Sequence, residues 1–121
     1  KLTELGARRA LVLPVRGAFH SPLMKSAEES LSKAINNIQF KEGTCPIYQN
    51  ITGMPYTDIE EIKQNLVNQL TSPVKWTQTM ENMKLNGLAT VTEVGPGKVL
   101  QGLFKRISRD LETKSLHQLI V

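Results

Sequence analysis

The junction between an apolar run and a helix start at residues 10–24 restricts the possible folds more than any other stretch. Residues 10–15 (ALVLPV) are almost continuously apolar, which is typical of a strand covered on both faces, and Pro14 indicates an edge or the strand's end. A turn follows at residues 17–20, and Ser21 with Pro22 then supplies a hydroxyl cap and a first-turn proline for a helix. Chemistry in α/β proteins is often placed at such turns, so His20 is a candidate functional residue.

Four amphipathic helices are predicted along the chain. The first follows Pro22, with apolar residues at helical spacing up to residue 38 and Glu28 on its opposite face. Asp58 opens the second through a capping-box spacing, and Ser72 with the proline after it opens the third. The fourth begins after the turn at residues 95–97 and carries the basic residues Lys98, Lys105, Arg106 and Arg109 toward solvent or a partner.

Further strands are predicted at residues 45–51 and 89–94, and residues after 109 have no assignable pattern. The resulting order is strand–helix, strand–helix–helix, strand–helix, which indicates parallel pairing with helices on both faces of a sheet. Three strands make a thin sheet for so much helix. The pattern therefore suggests part of a larger α/β domain.

Composition excludes several classes of function. The 15 Lys and Arg against 11 Asp and Glu give a net charge of +4 without a basic block, and aromatic residues are 5%. This argues against a nucleic-acid surface but suits an acidic partner or anionic substrate. The single cysteine, Cys45, permits no internal disulfide and no metal-ligand spacing, which predicts a reducing cytoplasm and no metal. No run approaches the roughly 20 apolar residues of a membrane span.

From the residues alone, His20 has two interpretations. It is either a general base beside a nucleophile or a histidine hydrogen-bonded locally at a helix entrance, and the second is slightly favoured. Ser21 is assigned to the helix cap, and no G-x-S-x-G elbow is present. Cys45 is interpreted as a small buried apolar residue. GPGK at residues 95–98 lacks the phosphate-loop spacing and is interpreted as a strand-to-helix turn.

Three ordered motifs resemble the malonyl-CoA:acyl-carrier-protein transacylases and the acyltransferase domains of fatty acid and polyketide synthases. They are GAFHSPLM (residues 17–24), NQLTSPVKW (68–76) and EVGPGKVL (93–100). The resemblance extends from about residue 6 to residue 107 and covers only the C-terminal part of a typical member. The family's Gly-His-Ser-x-Gly elbow would lie before Lys1, so an N-terminal part that carries the serine is expected as a partner.

The resemblance implies a Ser-His dyad that transfers malonyl from coenzyme A to the phosphopantetheine thiol of acyl carrier protein, without a cofactor. His20 matches the catalytic histidine, and Gln69 matches the glutamine whose backbone carbonyl orients it. Phe19 matches a position that favours malonyl over branched units. Arg8 and Arg9 match a basic region that is expected to dock the carrier, and Lys105 and Arg106 are added to this docking surface.

The same resemblance implies the fold and the domain division. Residues 1–14 would end a small ferredoxin-like subdomain, with its last strand at residues 10–13. Residues 15–121 would form the C-terminal part of a large α/β-hydrolase-like domain with a mainly parallel sheet flanked by helices. The alternative function is a non-catalytic fragment or module that docks an acyl carrier protein through its basic residues.

Overall fold

The computed structural model describes residues 1–12, 14 and 17–116. Within them the chain forms a short 3-10 turn, four α-helices and four short strands. In chain order these are the 3-10 turn Pro22–Met24, α1 (Lys25–Asn36), β1 (Ile47–Tyr48), β2 (Pro55–Tyr56), α2 (Ile59–Asn68), α3 (Trp76–Leu85), β3 (Thr90–Glu93), α4 (Val99–Ile107) and β4 (Glu112–Ser115).

The strands form two separate two-stranded sheets in the described part of the chain, which corrects the prediction of one mainly parallel sheet. β1 pairs antiparallel with β2, and β3 pairs parallel with β4. Gly53 explains the first pairing. Its N–H donates to the Gln49 carbonyl at 2.8 Å, and Gln49 N–H donates to Met54 O at 3.2 Å, so the chain reverses locally after β1. The α/β content is as predicted, but the arrangement of strands is not.

The strand predicted at residues 10–13 is not formed over residues 10–12, and residue 13 lies outside the described residues. Leu11 is 64% exposed and Val12 is 99% exposed. A strand requires a neighbour for its backbone hydrogen bonds, and nothing in the described residues pairs with this run. The proposed division at residue 14 stays a prediction.

Local signals located the helix starts with mixed success. Asp58 caps α2 by accepting a hydrogen bond from the Glu61 N–H at 2.8 Å, as predicted. The start predicted at Ser72 is wrong, because α3 begins at Trp76. The N–H of Lys75 instead donates to Asn50 O at 2.7 Å, so the segment before Trp76 is bound to the loop after β1 and not to a preceding helical turn.

The main apolar cluster lies between α3, α4 and the parallel sheet. Met80, Phe104 and Leu111 are buried in it, and Trp76 packs edge-on against Phe104 with ring centroids 5.7 Å apart. Such an edge-to-face pair adds stabilisation beyond the buried area. This cluster holds the second half of the described chain together.

The first half is built on α1 packed against α2, each of which buries one isoleucine, Ile35 and Ile62. Gly53 joins the halves, since an added Cβ there would meet Thr79 N at 3.0 Å and its φ is +73°. None of the helices in the described residues combines the length and apolar character that a membrane span requires.

Candidate functional site

His20 lies on the turn directly before the 3-10 turn, where the sequence predicted it. Ser21 caps that 3-10 turn: its hydroxyl accepts from Leu23 N–H at 3.4 Å and donates to Ala18 O at 2.7 Å. The predicted cap role of Ser21 is therefore confirmed, although the regular α-helix starts four residues later, at Lys25. With its hydroxyl committed locally, Ser21 does not serve the adjacent imidazole.

The backbone of His20 is in the left-handed region, with φ of +60°, and it is the single non-glycine residue there among those described. This conformation costs of order 1 kcal/mol for a residue with a side chain and persists only where the surroundings impose it. Two contacts impose it here. The His20 N–H donates to Leu70 O at 3.0 Å, and the ring Nδ1 lies 2.8 Å from Gln69 O.

The second contact defines where the ring carries its proton. A carbonyl oxygen only accepts hydrogen bonds, so Nδ1 must hold a hydrogen and donate it to Gln69 O. In the neutral ring Nε2 then has a free lone pair, which is the form a general base needs. The imidazole is exposed. The geometry thus offers an accessible base with a fixed tautomer.

Gln69 is itself held at the C-terminal end of α2. Its N–H donates to Asn65 O at 3.0 Å, and its side-chain Oε1 accepts from Asn50 Nδ2 at 3.3 Å. Because Asn50 O also accepts from Lys75 N–H, Asn50 ties Gln69 to the segment before α3. Asn50 did not emerge from the sequence, since nothing local marks a loop amide as the partner of a residue 19 positions away.

Glu28 corrects the predicted helix face. It was placed on the exposed side of α1, but it is only 6% exposed. Its carboxylate accepts hydrogen bonds from Lys25 Nζ and from the hydroxyl of Thr71, just beyond Gln69. These two hydrogen bonds, that from Lys25 first, hold the pKa of Glu28 below its ordinary value. The spacing from Glu28 to Leu31 and Ile35, three and seven residues, places it on the apolar stripe and could have identified it.

Phe19 precedes His20 and is 60% exposed. Its ring lies against the backbone of Gly17, where an added Cβ would come within 2.6 Å of a ring carbon. A side chain at residue 17 would therefore displace the ring. The aromatic group is available on the surface beside the imidazole, and its role in substrate choice stays a prediction.

The four basic residues proposed for carrier docking are all exposed. Arg8 and Arg9 lie in the N-terminal segment, and Lys105 and Arg106 lie in the last turn of α4. They lie in two different segments, and no hydrogen bond or ion pair among the described residues joins the two pairs. Their role in carrier docking stays a prediction.

The glycine-rich segment before α4 is a turn, as predicted. The Glu93 carboxylate accepts from the N–H groups of Leu100 and Gln101 at 3.1 and 3.3 Å. Burial opposes ionisation of this carboxyl, and the backbone hydrogen bonds outweigh it, so the pKa of Glu93 lies below its ordinary value. The chain's own carboxylate thus occupies the helix N-terminus where a phosphate would bind.

Other candidate chemistry is limited in the described part of the chain. Cys45 is exposed, so its interpretation as a buried residue is wrong. Over residues 1–12, 14 and 17–116, no three His, Cys, Asp or Glu side chains cluster as metal ligands. Nor does any serine, threonine or cysteine side chain in these ranges hydrogen-bond to the His20 ring. Among the described residues, the His20 ring is therefore bound to the Gln69 carbonyl and to no hydroxyl or thiol.

The chain is similar to known proteins over most of its length. No family model matches the chain. The malonyl CoA-acyl carrier protein transacylase of Staphylococcus aureus (strain COL) is 44% identical over 116 residues, covering 96% of this chain and 38% of the relative. The crystal structure of malonyl-CoA:acyl carrier protein transacylase from Xanthomonas oryzae pv. oryzae superposes with a TM-score of 0.89 at 36% identity, covering 95% of this chain and 37% of that one.

A third similar structure contains a partner. It is a type II PKS acyl-carrier protein in complex with its malonyl-transacylase, with a TM-score of 0.86 at 37% identity, covering 93% of this chain and 37% of that one. This chain spans well under half the length of the proteins it matches. Its similarity nevertheless extends over nearly all of its own residues. Over nearly all of its own residues, the chain is therefore similar to a part of the malonyl CoA-acyl carrier protein transacylases.

Proposed function

We propose that this sequence serves in the transfer of a malonyl group from coenzyme A to the phosphopantetheine thiol of an acyl carrier protein, with His20 as the general base. The observation that carries this proposal is the hydrogen bond from Nδ1 to Gln69 O, since it leaves Nε2 free to take a proton. The names of the relatives, all malonyl transacylases, support the choice of acyl group.

The proposed reaction has two steps with one serine nucleophile, which a segment outside the described residues supplies. In the first step Nε2 of His20 takes the serine proton while the serine oxygen attacks the thioester carbonyl, and coenzyme A leaves as a thiol that recovers the proton. In the second step Nε2 takes the proton of the phosphopantetheine thiol, whose sulfur attacks the serine ester. The serine leaves as an alcohol with that proton. No cofactor is required beyond the two thiol-bearing substrates.

Gln69 and Phe19 have distinct roles in this proposal. The Gln69 carbonyl fixes the tautomer of His20 and accepts the positive character that develops on the ring, as an aspartate does in a triad. Phe19, exposed beside the imidazole, limits the space for an α-methyl group and so favours malonyl over branched units. The carrier docks through exposed cations at Arg8, Arg9, Lys105 and Arg106, because carrier proteins of this kind are acidic.

The proposal is tested with His20→Ala in a protein that joins this sequence to the serine-bearing segment. Loss of a general base reduces turnover by about 100-fold or more. The matched control is His117→Ala, which changes the chain's other histidine, outside the described residues and without a proposed role. Near wild-type transfer by the His20 variant would exclude the catalytic assignment.

The second candidate is carrier docking without catalysis. It is favoured by the absence of a nucleophile at the His20 ring within the described residues and by the carrier complex of a similar transacylase. Charge reversal at Arg8 and Arg9 should then weaken carrier binding most at low salt, whereas His20→Ala should leave it unchanged. An exposed free thiol at Cys45 suits the reducing cytoplasm proposed for either function.

A further inference from the structure

Glu28 is the one buried carboxylate described in α1, and burial of a charge is unfavourable unless partners compensate for it. The compensation comes from two donors, one on each carboxylate oxygen. Lys25 lies one turn earlier on the same helix, and Thr71 lies 43 positions later. The long-range contact is the informative one, because packing of α1 on α2 needs no charge.

Thr71 directly follows the two carbonyls that hold His20. The N–H of Thr71 donates to Asn68 O at 3.3 Å, so the turn from residue 69 to residue 71 continues the end of α2. Leu70 O accepts from the His20 backbone, and Gln69 O accepts from its ring. A displacement of Thr71 therefore also moves the two acceptor carbonyls, which belong to the two residues before it, Gln69 and Leu70.

The contacts form a closed circuit. His20 leads through the 3-10 turn into α1, α1 carries Glu28, Glu28 holds Thr71, and the residues before Thr71 hold His20. This closed set of contacts holds His20 from the side of α1 and holds the Gln69 and Leu70 carbonyls from the end of α2, so it determines the distance between them. This explains how the left-handed φ of His20 is maintained on an exposed turn.

We propose that Glu28, acting through Thr71, is a positioning residue that keeps Nδ1 of His20 on the Gln69 carbonyl. The inference rests on the proposed function only for its effect on turnover, because the ring's tautomer can be measured without any reaction. The lowered pKa of Glu28, caused first by Lys25 and then by Thr71, agrees with a carboxylate that stays ionised and accepts from both.

The tautomer is measured by ¹⁵N NMR of the His20 ring in this chain, with Glu28→Gln, Thr71→Val and Thr71→Ser. Glu28→Gln and Thr71→Val should lower the fraction of Nδ1–H form in the folded protein, and Thr71→Ser should restore it because serine keeps the hydroxyl. The matched control is Glu60→Gln, which removes an exposed glutamate paired with Lys63 at 2.7 Å on α2. It should leave the tautomer unchanged.

The same variants are then assayed for transfer in the protein that joins this sequence to the serine-bearing segment. Misplacement of a catalytic group by about 1 Å reduces rates by up to about 100-fold, so kcat should fall about 10- to 100-fold in Glu28→Gln and Thr71→Val while the KM for malonyl-CoA is kept. If Glu28→Gln does not fold, the comparison of the His20 tautomer and of kcat between Thr71→Val and Thr71→Ser tests the inference. A lower stability with an unchanged tautomer would overturn the inference. A shifted tautomer in a protein whose His20→Ala variant still turns over would uphold it and refute the proposed function.

Discussion

The two halves of the described chain are stabilised in different ways. Around His20, buried polar side chains form hydrogen bonds between elements: Glu28 with Thr71, and Gln49 with α2. In the half from α3 to β4, an apolar cluster around Met80 and Phe104 dominates. There the buried Nε1 of Trp76 has no described partner.

Hydrogen bonds and apolar contacts constrain a structure differently: a hydrogen bond fixes the orientation of its groups, and an apolar contact mainly fixes the volume that is filled. An apolar cluster requires volume and is tolerant of direction, whereas a hydrogen bond fails when its angle is lost. To keep its Nδ1 on the Gln69 carbonyl, the His20 ring needs neighbours that fix its orientation. The candidate site therefore belongs to the half with the hydrogen-bond network, and the apolar half provides stability.

The largest expected effect lies in the apolar half. Phe104→Ala should lower the free energy of unfolding by about 3–5 kcal/mol, since it removes a buried ring and its edge-on contact with Trp76. Denaturant unfolding measures the loss. Phe19→Ala, at a ring that is 60% exposed, should change stability by no more than about 0.5 kcal/mol. Equal losses at both positions would show that the cluster is not the main source of stability.

A smaller effect is expected from the polar half. Gln49 is 6% exposed, donates to Ile62 O at 3.0 Å and accepts from Asn65 Nδ2 at 2.8 Å. Gln49→Met keeps the volume but leaves Asn65 without this acceptor, so stability should fall by about 1–3 kcal/mol. The control Gln64→Met removes an exposed hydrogen bond on α2 and should cost less than about 0.5 kcal/mol. An unchanged free energy of unfolding in Gln49→Met would mean that packing volume, and not these hydrogen bonds, stabilises this half as well.

The smallest effect is expected at a polar contact within the apolar half, and its signature is pH dependence. The pKa of Glu93 is lowered in the folded protein relative to the unfolded value of about 4.3, so its ionised form stabilises the fold. That stabilisation is complete above about pH 5 and is lost as pH falls through the lowered value. The stability difference between the wild type and Glu93→Gln should accordingly shrink between pH 6 and pH 3. Glu81→Gln, at an exposed glutamate, is the reference variant. If the stability difference between the wild type and Glu93→Gln stays constant over this pH range, the assigned hydrogen bonds of Glu93 are contradicted.

Local signals in the sequence predicted the presence of four helices and two of the caps. Asp58 and Ser21 perform their predicted cap roles because a cap is made by residues two or three positions apart. Over residues 10–12 the predicted strand is not formed, because a strand needs a pairing partner and none lies among the described residues. The helix start predicted at Ser72 is wrong because the Lys75 N–H binds the distant Asn50 carbonyl. β4 was not predicted, since its pairing with β3 joins segments about 20 residues apart.

The sequence alone placed His20 on a turn before a helix, and its motifs indicated the family that the chain resembles. Only the tertiary structure decided which atom of the ring carries the proton, because Gln69 is 49 residues away. It also decided that Glu28 is buried and bound to Thr71, 43 residues away. Helical periodicity and caps operate over one or two turns of chain, whereas a directed hydrogen bond between distant segments exists only after the helices have packed.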